Sequence, residues 1–205
     1  MTGRLLVAAA LLWVAGFAHA SDVLTRLDRF LAEVERGKGA FSQVVTARSG
    51  RKPKSARGEF AFERPGRFRW VYSEPYPQTL VGDGERLWSY DPELNQVSVK
   101  TIGDALGSTP AAILAGDGDI GARFELSDGG SHDGLDWAVA TPRASDSPFT
   151  DMALGFRGDA LVAMTIRDGF GQVTELRFEG FETNPILDNG LFRFTPPPGA
   201  DVIGE

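Results

Sequence analysis

The sequence predicts a mainly β fold with helices (α+β), built on one large antiparallel sheet, and three features carry that expectation. From Gly39 onward, apolar and polar residues alternate with period two through most of the chain, as in strands with one buried face. Gly-Asp, Asp-Gly and Gly-Gly turns separate several of these runs, and the connections are too short for parallel crossovers, so neighbouring strands form a meander. Only two stretches have helical character. A sheet of ten or eleven strands curls or closes, and helices with no other partner lie on its concave side and plug it.

The first helix begins at Ser21-Asp22, which supply a cap. Val23, Leu24, Leu27, Phe30, Leu31 and Val34 recur at helical spacing opposite a charged face, and Gly37 and Gly39 are expected to end the helix. "GAFSQVVTA" (39–47) then reads as a strand and "SGRKPKSARG" (49–58) as a basic loop. "EFAFERP" (59–65) and "RFRWVYSEP" (67–75) alternate strongly. "QTLVGDGERLWSYDP" (78–92) reads as two strands around Gly82-Asp83-Gly84, followed by "NQVSVKTI" (95–102). The second helix falls within "GDALGSTPAAILAGDGD" (103–119), capped by Thr109 or Ser108, with Pro110 in its first turn. Strands resume at 123–129, 135–143, 152–158, 161–168, 172–182 and 191–197.

Residues 1–20 are set apart from this pattern. Arg4 precedes an apolar run, Leu5–Phe17, too short to span a bilayer, and Ala18-His19-Ala20 supplies small residues before a cut at Ser21. This layout predicts a secretory signal peptide over 1–20 and a single domain over 21–205. The whole chain carries 21 basic and 28 acidic residues and no cysteine. An acidic balance disfavours a nucleic-acid partner, and the missing thiols exclude disulfides and thiolate chemistry.

No enzyme site emerges. His132 is the only histidine after residue 20, in "DGGSHDG" (128–134), and adjacent residues on a turn do not converge into a nucleophile–base array. "GDGER" (82–86) and "GDGDIG" (116–121) read as turns rather than a calcium loop. No catalytic residue, metal ligand or cofactor is assigned.

What remains is a row of aromatics. Phe60, Phe62 and Arg64 share one parity, as do Phe68, Trp70 and Tyr72, and Leu80, Trp88 and Tyr90 are expected to extend the same patch. An arginine in such a row needs acceptors, and free carbonyls at helix ends are natural ones. Arg67 and Arg69 have the opposite parity and are expected at the rim or in solvent.

The strings "GAFSQVV", "GEFAFERPGRFRWVY", "LVGDGERLWSYDPELNQV", "STPAAIL" and "LFRFTPPPGADVI" together resemble the periplasmic outer-membrane lipoprotein carrier family, LolA. The match runs over nearly the whole chain after residue 20, with 123–182 alike mainly in pattern. The resemblance implies an incomplete, strongly curved β-barrel of about eleven strands with a helical lid over a hydrophobic cavity. It makes Arg64 a lid latch, bonded to backbone carbonyls near Leu114 and Ala115. With the alternation, it gives an acyl-chain cavity of Phe60, Phe62, Phe68, Trp70, Leu80, Trp88, Ile113 and Leu114. It further implies a monomeric, non-enzymatic chaperone in the periplasm of a Gram-negative bacterium. Its partners would be acylated lipoproteins, an inner-membrane ATP-binding cassette transporter that releases them, and an outer-membrane receptor. The alternative is a carrier of the same fold for another envelope lipid or glycolipid.

Overall fold

The computed structural model describes residues 22–105, 109–116 and 120–204. The export signal expected over 1–20, and Ser21 and Ser108 as caps, lie outside those residues. Helix α1 (Asp22–Glu33) leads into β1 (Arg36–Thr46), β2 (Lys54–Glu63), β3 (Arg67–Glu74), β4 (Gln78–Asp83), β5 (Arg86–Asp91) and β6 (Gln96–Thr101). Three short helices follow: α2 (Ile102–Ala105), α3 (Pro110–Leu114) and α4 (Ile120–Arg123). Then come β7 (Phe124–His132), β8 (Leu135–Pro142), β9 (Phe149–Arg157), β10 (Ala160–Asp168), β11 (Val173–Thr183) and β12 (Asp201–Gly204).

The described strands form one twelve-stranded sheet in the order β12-β6-β5-β4-β3-β2-β1-β11-β10-β9-β8-β7. Every neighbouring pair is antiparallel except β12, which runs parallel to β6. The sheet is open, with β12 and β7 at its edges, and α2–α4 carry the chain from β6 to β7 at the far edge. It curls so that the inner faces of β1–β3 and β8–β11 share one core with α1 and α3. Val23, Leu27 and Phe30 of α1 and Ala111, Ala112 and Leu114 of α3 are buried there. Thr109 caps α3, its Oγ1 accepting from the Ala112 amide at 3.2 Å, and Pro110 fills the first turn, where a missing N–H costs nothing.

Several boundaries differ from the sequence reading. Helix α1 stops at Glu33, and Gly37 and Gly39 lie inside β1. They are paired with Phe62 and Phe60 across the β1–β2 ladder. A Cβ on Gly37 would stand 2.5 Å from the Phe62 ring, so this glycine makes room for an aromatic side chain rather than ending a helix. Gly82, paired with Phe68, repeats the device at the same 2.5 Å. Strand β2 starts at Lys54, inside the expected basic loop.

The segment 191–197 is not a strand. Pro196 and Pro197 end it and Pro198 follows directly, none of them offering a ladder donor, and the segment crosses the outside of the sheet as irregular chain. Phe192 is buried, and Phe194 packs on Trp88 and Tyr90 with ring centres 5.7 and 6.0 Å apart. The twelfth strand comes from "DVIG" beyond it, with the Asp201 amide bonded to Asn95 O at 3.0 Å.

Candidate functional site: the interior beneath the helices

Alternation along β2 and β3 turns Phe60, Phe62, Phe68 and Trp70 inward, and cross-strand pairs Phe60–Trp70 and Phe62–Phe68 hold them in one sheet of rings. All four are almost fully buried, at 4% exposure or less. Phe181 of β11 packs against Phe60 and Phe62, so the aromatic surface continues across β1.

Two cavities lie inside the curl. One, of about 430 Å³, is walled by Val45, Trp70, Leu80, Ile113, Phe149 and Ile166, with Gln43, Tyr72, Gln78 and Gln172 among its polar residues. The other, of about 690 Å³, runs past Leu31, Arg64, Ile113, Ile120 and Phe124 to the chain between β8 and β9. Ile113 borders both. Phe60, Phe62, Phe68 and Leu114 border neither cavity. They face the interior but are packed under α1 and α3 in this closed arrangement.

Trp88 corrects the sequence reading. It pairs with Val81, not with inward-facing Leu80 or Gly82, and therefore projects from the outer face. There it stacks on Phe194 and donates its Nε1 proton to Asp83 Oδ2 at 2.8 Å. Tyr90 shares that outer face.

Trp70 is notable for what its indole does not do. Its Nε1 is buried and meets no hydrogen-bond acceptor among the described residues. Tyr72 donates to Gln43 Oε1 at 3.2 Å and lies near the indole, but not in hydrogen-bond geometry with it. Buried donors without acceptors are rare, because the lost hydration is not replaced.

Arg64 sits just beyond β2, at the edge of the aromatic sheet. Its Nε donates to Leu114 O of α3 at 3.0 Å. Its Nη1 donates to Leu31 O at 2.9 Å and Val34 O at 2.8 Å, with Phe30 O at 3.4 Å. The guanidinium also lies 5.2 and 5.4 Å from the Phe30 and Phe62 ring centres. One side chain therefore binds both helices. Helix α1 has no basic residue in its last turn, and Arg64 brings a cation to that carbonyl-rich end from the sheet. Burial pulls the pKa of Arg64 down to about 10, which leaves it cationic at neutral pH. Ala115 meets a different donor: its carbonyl accepts from the Gly66 amide at 2.6 Å.

Sequence reading missed two further ties. Asn184 closes the other side of the α1 end: its Nδ2 donates to Glu33 O, and its Oδ1 accepts from the Glu35 and Arg36 amides. No local pattern in the sequence singles Asn184 out. Arg26 of α1 binds Asp136 Oδ2 of β8 at 2.5 Å. Hydrogen bonds from Ser131 and Arg26 hold the Asp136 carboxyl below its ordinary pKa.

A sequence model of the family described as outer membrane lipoprotein carrier protein LolA matches residues 32–195. The chain belongs to the LolA family. An outer-membrane lipoprotein carrier protein of Dechloromonas aromatica is 49% identical over 188 residues, covering 92% of this chain and 90% of the relative. Another, of Methylibium petroleiphilum, is 48% identical over 96% of each chain. Among solved structures, a LolA superfamily protein of Nitrosomonas europaea superposes with a TM-score of 0.51 at 12% identity, covering 84% of this chain and 96% of that one. That likeness concerns the fold alone. The open, curled sheet with helices inside it is the LolA-type arrangement expected from the motifs.

Proposed function

We propose that this LolA-family protein carries the acyl chains of lipoproteins through the periplasm of a Gram-negative cell. It would take them from an inner-membrane transporter and give them to an outer-membrane receptor. The observation that carries the reading is the pair of largely apolar cavities meeting at Ile113 under helices held by Arg64. The names of the relatives point the same way. Parting α3 from the aromatic sheet would merge the cavities and bare Phe60, Phe62 and Phe68 to hydrocarbon. The unpaired Trp70 N–H would then find an acceptor in the ester or amide carbonyls of an acylated cysteine.

The energetics suit a carrier. Each buried CH₂ is worth about 0.8 kcal/mol against water, but almost nothing against a bilayer. Extraction from the membrane therefore needs external work, and delivery needs only a receptor cavity somewhat more favourable than this one. A helix that competes for the same space keeps the carrier's own affinity modest.

The test is displacement of an apolar fluorescent probe from the purified protein. A diacylated or triacylated lipopeptide is expected to displace it, and the same peptide without acyl chains is not. Equal displacement by both, or by neither, would overturn the reading.

A further inference from the structure

Three connections lie side by side on one rim of the sheet, because their strands are neighbours: the β3–β4 turn, the β1–β2 hairpin and the β10–β11 turn. The hairpin is basic. Arg48, Arg51, Lys52 and Lys54 are exposed, and no acidic residue occurs between Glu35 and Glu59. None of the four forms an ion pair with another described residue. The turns on either side each present an aromatic to solvent: Phe170 is 91% exposed and Tyr76 71%. The two turns' own carboxylates are engaged. Glu74 pairs with Arg57, and Asp168 Oδ1 accepts from the Phe170 and Gln172 amides of its own turn. The hairpin and the Phe170 turn touch, since a Cβ on Gly171 would stand 3.0 Å from Arg48 Cδ.

This rim is also an end of the smaller cavity. Val45 leads into the basic hairpin, Tyr72 and Gln78 flank the Tyr76 turn, and Asp168 and Gln172 bracket Phe170; all five border that cavity.

We propose that the rim is a docking surface for an anionic phospholipid bilayer. Lysines and arginines suit lipid phosphates, and an exposed phenylalanine and tyrosine suit the boundary between headgroups and acyl chains. The chain as a whole is acidic, with net charge −7. Repulsion from its distant faces is screened beyond about 8–10 Å at physiological salt, whereas the hairpin lies at contact. Docking is therefore weak, salt-sensitive and fixed in orientation, with this end of the smaller cavity toward the membrane. That last consequence rests on the carrier reading; the docking itself does not.

The experiment is sedimentation of the purified protein with vesicles of phosphatidylglycerol and phosphatidylethanolamine, compared with phosphatidylcholine alone. Binding is expected at low salt to the anionic vesicles only, and to vanish at high salt. Each cation removed, as in Arg51→Gln and Lys52→Gln, is expected to weaken binding about fivefold. Phe170→Ser with Tyr76→Ser is expected to weaken it as well. All variants should still bind the apolar probe, because these side chains border neither cavity. Absence of binding to anionic vesicles overturns the proposal, and so does binding indifferent to the rim substitutions. Substitutions that leave vesicle binding intact but block transfer to a purified receptor would show a protein-docking surface instead. Loss of probe binding by the wild type would sink the carrier reading and leave the docking result standing.

Discussion

Replacing Arg64 with leucine tests the helix closure most directly. The change removes the bonds to Leu31 O, Val34 O and Leu114 O, at 2.9, 2.8 and 3.0 Å, and the longer contact to Phe30 O. Three charge-assisted bonds at the low end of their range contribute about 4–5 kcal/mol. Desolvation opposes them: burial pulls the guanidinium's pKa down from its ordinary value to about 10, a cost to the cation of roughly 3 kcal/mol. The balance favours closure by about 1–2 kcal/mol, a factor of roughly 5 to 30. The leucine itself is tolerable, because Phe30 and Phe62 surround the site. If closure competes with cargo, Arg64→Leu should bind the apolar probe about 5–30-fold more tightly and release cargo to a receptor more slowly. Probe titration measures the first effect, and near-ultraviolet circular dichroism checks the fold. A folded variant with unchanged or weaker affinity would refute the competition argument.

Three other outcomes are expected. Gly82→Ala would set a methyl 2.5 Å from the Phe68 ring and 2.9 Å from Gly66 O, costing about 1–3 kcal/mol; an unchanged melting temperature by calorimetry would contradict this. Asp136 has a depressed folded pKa, so its stabilising effect is present above its ordinary value near pH ~4 and lost as pH falls through the folded one. Asp136→Asn should therefore flatten the acid limb of the stability curve, and an identical limb counts against the Arg26 anchor. Export processing should leave Ser21 as the first residue of periplasmic material, and N-terminal sequencing that returns Met1 would rule the signal out.

The inner aromatic row was legible because alternation survives within strands and across odd-length connections. From Phe62 through the three residues Arg64–Gly66 to Phe68, and from Trp70 to Leu80, partners keep the same parity. Trp88 was misplaced because the β4–β5 connection has two residues, Gly84 and Glu85, and an even count reverses parity. The glycines of β1 were misread because their reason lies on another strand, in the rings of Phe60 and Phe62. Arg64 could be picked out as a side chain in need of acceptors, and the family motif named Leu114. Its bonds to α1 depend on how two distant segments pack, which no local pattern encodes. Asn184 was hidden for the same reason, its partners lying about 150 positions earlier in the chain.

The strand order also sets the route by which this chain folds. Strands β2 to β6 pair with immediate neighbours, as do β7 to β11, through connections a few residues long. Those hairpins close on microsecond timescales. The β1–β11 seam joins residues as far apart as Gly37 and Thr183 and pays a much larger loop-closure entropy. Two half-sheets with bare aromatic inner faces therefore precede the finished molecule, and zippering of the seam is the slow, aggregation-prone step. Pulse-labelled hydrogen exchange during refolding should protect β3–β4 and β9–β10 amides before those of the β1–β11 ladder. A newly made chain is most vulnerable in that interval, before its two inner faces cover one another.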